Sequence, residues 1–190
     1  MIDIIETLFN PNLTIESNRI KLRIVTPSDI DQLKTLAFES KIWKYFTTEI
    51  NSERDLSEYI KNILNDFYNK KNVPFVIIDK KHDKIVGMSS FGNVSVLDSR
   101  VEIGWSWIGL DFQGTGVNSE YKRLLLSFAF DKLKFIRVEF KTDVLNVKAR
   151  RALEKIGAVE EGVLRSHTQM HHNRRRDTIY YSILQEEWNH

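Results

Sequence analysis

The stretch DFQGTGVNSEYKRLLLSFAF, Asp111 to Phe130, sets two glycines in a short polar turn directly ahead of an apolar-patterned segment. The chain has only 8 glycines, so a pair of them at one helix start needs a reason. In the segment that follows, Tyr121, Leu124, Leu125, Phe128 and Ala129 keep the i, i+3, i+4, i+7, i+8 spacing of one buried helix face. A helix start presents unpaired backbone N–H groups and the positive end of the helix dipole. Glycines before it let the backbone fold closely around an anion. Gln113, Gly114, Thr115, Gly116, Val117 and Asn118 therefore make a candidate pyrophosphate cradle. A plain tight turn is the competing reading. Two better-known phosphate loops do not fit. A P-loop needs Lys and Ser/Thr after its last glycine, where this chain has Val117 and Asn118. A dinucleotide fingerprint needs a third glycine where Ser119 stands, and belongs near the first strand of a fold.

Other chemistries are bounded by composition. There is no cysteine, which excludes disulfides, thiolate metal sites and a cysteine nucleophile, and fits a reducing cytosol. The opening MIDIIETLFNPNLTIE carries acidic residues and no basic region ahead of an apolar run, unlike a signal peptide. No stretch reaches the ~18 apolar residues of a membrane span, so a cytoplasmic location is expected. The net charge of +2 gives no whole-chain argument for nucleic acid or an anionic membrane. The densest basic cluster, His171 and His172 with Arg174, Arg175 and Arg176, reads as a solvated hairpin turn; steering an acidic partner, RNA or phosphates is the alternative. Two adjacent histidines point to opposite sides of an extended strand, so no metal is expected there.

The elements that must position the glycine turn follow from periodicity. One domain spanning 1–190 is expected, with no repeat or linker. RIKLRIV (Arg19 to Val25) alternates as a half-buried strand. Thr26 and Pro27 then start a helix with Ile30, Leu33 and Ala37 inward. A second helix runs from about Ser52 to Tyr68, with Leu56, Tyr59, Ile60, Ile63 and Phe67 inward. PFVIID and IVGMSSFGNV read as a hairpin, RVEIGWSWIGL as a further strand. After the glycine-turn helix come the strand FIRVEFKTDV, the helix VKARRALEKIG stopped at Gly157, and the strands AVEEGVLRSHTQM and DTIYYSILQEEW. The order β-α-α-β-β-β-α-β-α-β-β is a mixed α/β chain, an antiparallel meander feeding one βαβ crossover.

With these pieces in place the chain resembles the GCN5-related N-acetyltransferases (GNAT superfamily), most of all the branch of ribosomal-protein N-terminal acetyltransferases (RimJ/RimL-type). The resemblance rests on RIKLRIVTPSDIDQL, VEIGWSWIGLDFQGTGVN, FKTDVLNVKARRALEKIGAVEEGVLR and RDTIYYSIL in that order. It implies an α/β (α+β) fold: one twisted, mostly antiparallel sheet, splayed between two parallel strands, with helices on both faces. The cofactor-binding core would span about 100–157. Acetyl-CoA would enter the gap between VEIGWSWI and FIRVEFKT as co-substrate, with no metal. By the same resemblance, backbone N–H groups from Gln113 to Asn118 hold the pyrophosphate, and main-chain groups of Trp107 and Ile108 pair with pantetheine. Asn146 matches a cofactor-contacting asparagine, and Lys148 or Arg151 reaches the CoA phosphates. Two positions depart from the family pattern. Asn118 stands where most members have Gly or Ala and is expected to cap the helix. Ala149 stands where many relatives have a serine that protonates the leaving thiolate.

Amine acetylation needs a base for the amine, polarisation of the carbonyl and a proton for the thiolate. Glu102 is the expected base, through a water. Strict alternation places it with Gly104 and Ser106 on one face, opposite Val101, Ile103, Trp105 and Trp107. Partial burial there would raise its pKa; a structural glutamate paired to Arg or Lys is the bland alternative. Tyr181 is the expected acid, with a satisfied core tyrosine as its alternative. A backbone N–H near Trp107, at a bulge, would polarise the carbonyl. Trp43, Tyr45 and Phe46 line the acceptor pocket or belong to the core. Arg150, Arg151, Glu154 and Lys155 read as the wet face of the last helix. The expected activity is acetyl transfer to a primary amine, of a protein N-terminus or a small molecule, in a ternary complex by a monomer or homodimer. A non-catalytic acyl-CoA-binding module is the rival, and nucleic-acid binding through the arginine turn a distant third.

Overall fold

The computed structural model describes residues 3–171 and 173–188, so His172 of the basic cluster lies outside the described residues. Eight strands form one sheet in the order β1-β2-β3-β4-β5-β6-β8-β7. They are β1 (Thr14–Glu16), β2 (Ile20–Ile24), β3 (Asn72–Asp79), β4 (Lys84–Ser95), β5 (Arg100–Ile108), β6 (Arg137–Asp143), β7 (Val159–Gln169) and β8 (Arg175–Leu184). Every adjacent pair is antiparallel except β5 and β6. The helices are α1 (Ile4–Leu8), α2 (Ile30–Ala37), α3 (Ser40–Trp43), α4 (Glu53–Tyr68), α5 (Val117–Ser127) and α6 (Val147–Glu154). The expected single domain with helices on both faces is what forms. α1, β1 and α3 add to the expected order; each spans five residues or fewer, too few to show a period.

Each sheet face has its own core. On one, Leu125, Ala129 and Phe130 of the α5 segment meet Leu22, Phe75, Phe91, Val101, Ile103 and Val138. On the other, Leu33, Ala37, Trp43, Leu56, Ile60 and Ile63 cover Val76, Ile78, Met88 and Trp107. Strand β3 is buried at every position, which its unbroken VPFVII run requires of a central strand. Helix α4 opens at Ser52, whose side chain accepts the Asp55 N–H. The α2 segment departs from expectation: a 3₁₀ turn over Pro27–Asp29 comes first. The buried Asp29 carboxylate accepts the Thr26 N–H at 2.8 Å and both terminal nitrogens of Arg23 at 2.8 and 2.6 Å, which holds that turn tight.

Two features of β5 open the sheet. It pairs with β6 only at Arg100–Arg137, Val101–Val138 and Glu102–Glu139, and the two strands part beyond that point. It also carries a bulge against β4: Met88 faces Trp107 and Ser90 faces Gly104, so Ser89 alone opposes Trp105 and Ser106. Trp105 takes a left-handed φ of 51° there. The bulge overturns the strict alternation expected along the strand. Val101, Ile103 and Ile108 belong to the α5-side core, whereas Trp107 crosses to the α2/α4 side and packs 5.3 Å from the Trp43 ring. Gly87 on β4 makes room, since a Cβ there would lie 2.2 Å from the Trp107 carbonyl oxygen.

Candidate active site

Where β5 and β6 part, a cavity of about 390 Å³ opens. Glu102, Gly104, Trp105 and Ser106 of β5 form one wall, Phe140, Lys141 and Thr142 of β6 the other. Asn118 and Lys122 reach it from α5, Asn146 and Ala149 from the start of α6. Tyr45, Phe46 and Thr47 close one side, with His167, Thr168 and Arg176 of the last hairpin.

The glycine turn leads into α5 as expected. Gly114 and Gly116 take φ of 81° and 90°, values that L side chains adopt only with strain. Nothing lies within 4 Å of a Cβ built on Gly114, and only Arg19 Nη1, at 3.7 Å, on Gly116. Conformation, not crowding, is what selects glycine here. Gly116 is the N-cap of α5 and no side chain caps the helix, which leaves the first N–H groups to a ligand or water. The expected capping by Asn118 is not what forms: its Oδ1 accepts from the Tyr121 hydroxyl at 3.2 Å. The turn is braced from both sides. Arg19 donates to the Thr115 carbonyl at 3.2 Å, and Lys148 donates to Gln113 Oε1 at 2.6 Å. Gln113 Nε2 in turn donates to the Ile108 carbonyl at 3.0 Å, so that main-chain acceptor already has a partner. Trp107 is buried against Trp43, and Arg151 lies exposed on α6.

Asn146 caps α6 by accepting the Ala149 N–H at 3.2 Å, and its amide donates to Thr142 Oγ1 at 3.4 Å. The fit to an acetyl-CoA-sized ligand rests on these observations: an uncapped helix start, a turn whose glycines leave open space, and a cleft between parting strands.

Glu102 is 3% exposed. It accepts from Asn93 Nδ2 at 2.6 Å and pairs with Lys141 Nζ at 2.9 Å. Gly104 lets it lie along the strand, since a Cβ there would be 2.9 Å from Glu102 Oε1. The carboxylate therefore has the lysine partner that a structural role predicts, and it also lines the cavity. Tyr181 does not line it. Its hydroxyl sits beneath α6, where it accepts from Arg150 Nε at 3.1 Å and lies within reach of Glu160 and Glu154 at 3.3 and 3.4 Å. Burial raises the Tyr181 pKa, against the lowering effect of Arg150. Arg150 is correspondingly not on the wet face; it is tied to Tyr181 and to the Val144 carbonyl. Tyr45 and Phe46 line the cavity, whereas Trp43 is core and donates its indole N–H to the Ala37 carbonyl at 2.6 Å.

The arginine turn is the largest correction. Arg175 and Arg176 are the first residues of β8, not of a solvated loop. Arg174 pairs with the fully buried Asp143. Arg176 is 9% exposed and lines the cavity. Desolvation lowers its pKa while nearby Asp143 works the other way; arginine in proteins remains charged. Lys141, His167, Thr168 and Arg176 are site residues that motif reading missed. The signal was there: β6 alternates Arg137, Glu139, Lys141 and Asp143 on one face of an interior strand. Such charges must be paired or face a cavity.

A bulged strand, a sheet that parts beside it and a glycine turn at the crossover helix are the features that the resemblance to the GNAT class implied. Residues 19–159 match the acetyltransferase (GNAT) domain, and the chain belongs to that family of acetyltransferases, whose members use acetyl-CoA as co-substrate. Among its relatives, YdaF of Bacillus subtilis (strain 168), named provisionally as a ribosomal N-acetyltransferase, is 29% identical over 181 residues, covering 90% of this chain and 94% of that one. The ribosomal-protein-serine acetyltransferase of Escherichia coli (strain K12) is 22% identical over 153 residues, covering 78% and 84%. A GCN5-related N-acetyltransferase from Brucella melitensis shares the fold, with a TM-score of 0.85 at 21% identity over 93% of this chain and 80% of that one. Among the described residues no helix is long and apolar enough to cross a membrane.

Proposed function

We propose that the chain moves an acetyl group from acetyl-CoA to a primary amine by direct attack in a ternary complex. The observation that carries this reading is the buried Glu102 at the point where β5 and β6 part, facing a cavity that the starts of α5 and α6 also reach. The N–H groups of the turn from Gln113 to Asn118 hold the pyrophosphate, with Lys148 beside them and Asn146 at the cavity wall. Main chain of Trp107 and Ile108 at the bulge guides the pantetheine arm and polarises the carbonyl. Bound there, the cofactor supplies an activated thioester. Glu102 takes a first proton from the ammonium through a water, the amine nitrogen bonds to the acetyl carbon, and the adduct gives up its second N–H proton to water as the carbon–sulfur bond breaks. Ala149 offers only a methyl group to the cavity and the Tyr181 hydroxyl is held beneath α6, so the thiolate takes its proton from another donor in the cavity, water or a lining hydroxyl such as Ser106 or Thr142.

The test is thiol release from acetyl-CoA with an amine panel, for the wild-type chain and Glu102→Gln. General-base catalysis is worth about 10²–10⁴-fold, so turnover falls by about 100-fold, with the largest deficit at low pH and acetyl-CoA affinity retained. An unaltered pH–rate profile removes Glu102 from the chemistry. Acetyl-CoA binding without turnover of any amine would make the chain an acyl-CoA-binding module.

A further inference from the structure

Among the described residues, two cations on the cavity wall are more than nine-tenths buried and make no ion pair with a carboxylate: Lys122, 7% exposed, and Arg176, 9% exposed. Lys122 donates to the Tyr121 hydroxyl at 3.1 Å. Arg176 donates from Nε to Thr178 Oγ1 at 3.0 Å. Among the described residues neither of its terminal nitrogens has a hydrogen-bond or ion-pair partner. The two nearest acids are engaged already. Asp143 pairs with Arg174 and accepts the Leu145 N–H at 3.0 Å. Glu102 pairs with Lys141 and with Asn93. Counted by pairs, Glu102 with Lys141 and Asp143 with Arg174 cancel, and Lys122 and Arg176 leave the cavity wall with an excess of positive charge. A largely buried guanidinium whose fork faces a cavity and is unpaired among the described residues is a ready partner for an anion. Its planar fork matches a carboxylate with two parallel hydrogen bonds.

We infer that the acceptor is a small amine bearing its own carboxylate, with the amine at Glu102 and the carboxylate on the Arg176 fork. This rests on the acetyl-transfer reading above and narrows it. Glu102 and Arg176 line the same cavity, so one small zwitterion can present its amine to the first and its carboxylate to the second. An excess of positive charge on the wall suits an acceptor that carries an anionic group. His167 and Thr168 flank the fork, with Tyr45, Phe46 and Trp105 supplying apolar surface to the acceptor side chain. A peptide N-terminus with neutral side chains has only an uncharged carbonyl oxygen to place on Arg176, one acceptor in place of two.

The experiment compares free L-amino acids, their carboxamides and a neutral C-terminally amidated tripeptide as acceptors, by thiol release at saturating acetyl-CoA. A charge-assisted fork contact corresponds to about 10–100-fold. The free acids are therefore preferred over their carboxamides by about that factor in kcat/KM. Arg176→Gln lowers the acid-to-amide ratio about 30-fold, and Arg176→Lys lowers it less. Acetyl-CoA affinity by calorimetry stays within about 3-fold in both variants, which also shows that they fold. Equal use of carboxamides or the tripeptide overturns the inference, as does an unchanged ratio in Arg176→Gln. So does a loss of acetyl-CoA affinity that Arg176→Lys restores, which would put the fork on the cofactor. No turnover of any free acid with acetyl-CoA bound also overturns it and leaves acetyl transfer to other amines standing. Failure of the wild-type chain to bind acetyl-CoA would sink both.

Discussion

At the scale of single residues, the chemistry turns on backbone angles and on which charges have partners. Gly116 holds φ at 90° as the N-cap of α5. Gly116→Asp puts a carboxylate at the uncapped helix start where an anion is to sit, and adds about 1–2 kcal/mol of left-handed strain. Acetyl-CoA affinity by calorimetry is expected to fall at least about 100-fold, about 2.7 kcal/mol; unchanged affinity would detach the glycine turn from the cofactor. This site was legible because it is local: two glycines, a following apolar period and a family pattern all lie within one stretch of chain. Glu102 was legible as a residue but not as a partner, since Lys141 comes from a strand 39 positions later and meets it only through the β5–β6 register. Arg176 was misread because a run of three arginines after two histidines has the composition of a solvated turn. Composition does not report that β8 starts at Arg175 and buries Arg176 at the cavity wall.

At the scale of elements, the α4, α5 and α6 helices and the long strands were readable from apolar spacing. The β5 bulge was not. One residue at a left-handed φ reverses the facing of everything after it, and Trp105 carries no glycine to mark the spot. The turn ahead of α2 offers a check on element energetics. Asp29 is 4% exposed. Burial pushes its pKa up, but Arg23 and the Thr26 N–H outweigh that and the net shift is downward. The folded carboxyl thus lies below its unfolded value of about 3.9. Its contribution is present above pH ~4 and is lost as pH falls through the folded value. Asp29→Asn removes one partner of a pair whose arginine is about a third exposed. Allowing for that exposure, the loss is about 2 kcal/mol at pH 7. Urea unfolding at pH 7 and pH 3 is expected to show the gap between Asp29→Asn and the parent shrinking in acid. A constant gap would mean that the hydroxyl and backbone contacts, not the ion pair, hold the turn.

At the scale of the whole molecule, mixed α/β order and a single βαβ crossover were enough to anticipate the architecture, because one parallel pair in an otherwise antiparallel sheet leaves few ways to connect the chain. What no periodicity could report is how early β5 and β6 part. They share three register pairs, although β5 runs for nine residues and β6 for seven. The remainder of two facing strand edges is left without a strand between them, in the middle of the sheet where edges are ordinarily sealed. The protein is in that sense folded short of completion, and under the proposed function the missing strand is the pantetheine arm of acetyl-CoA. Stability then becomes a reading of cofactor supply. A ligand that binds only the native state adds RT ln(1 + [L]/Kd), about 2.7 kcal/mol at a hundredfold excess over Kd. For a chain of this size that is a rise in Tm of about 5–10 °C. Thermal unfolding across an acetyl-CoA series should climb logarithmically, while ATP leaves Tm where it was. A Tm indifferent to acetyl-CoA would mean that the gap is sealed by something other than the cofactor.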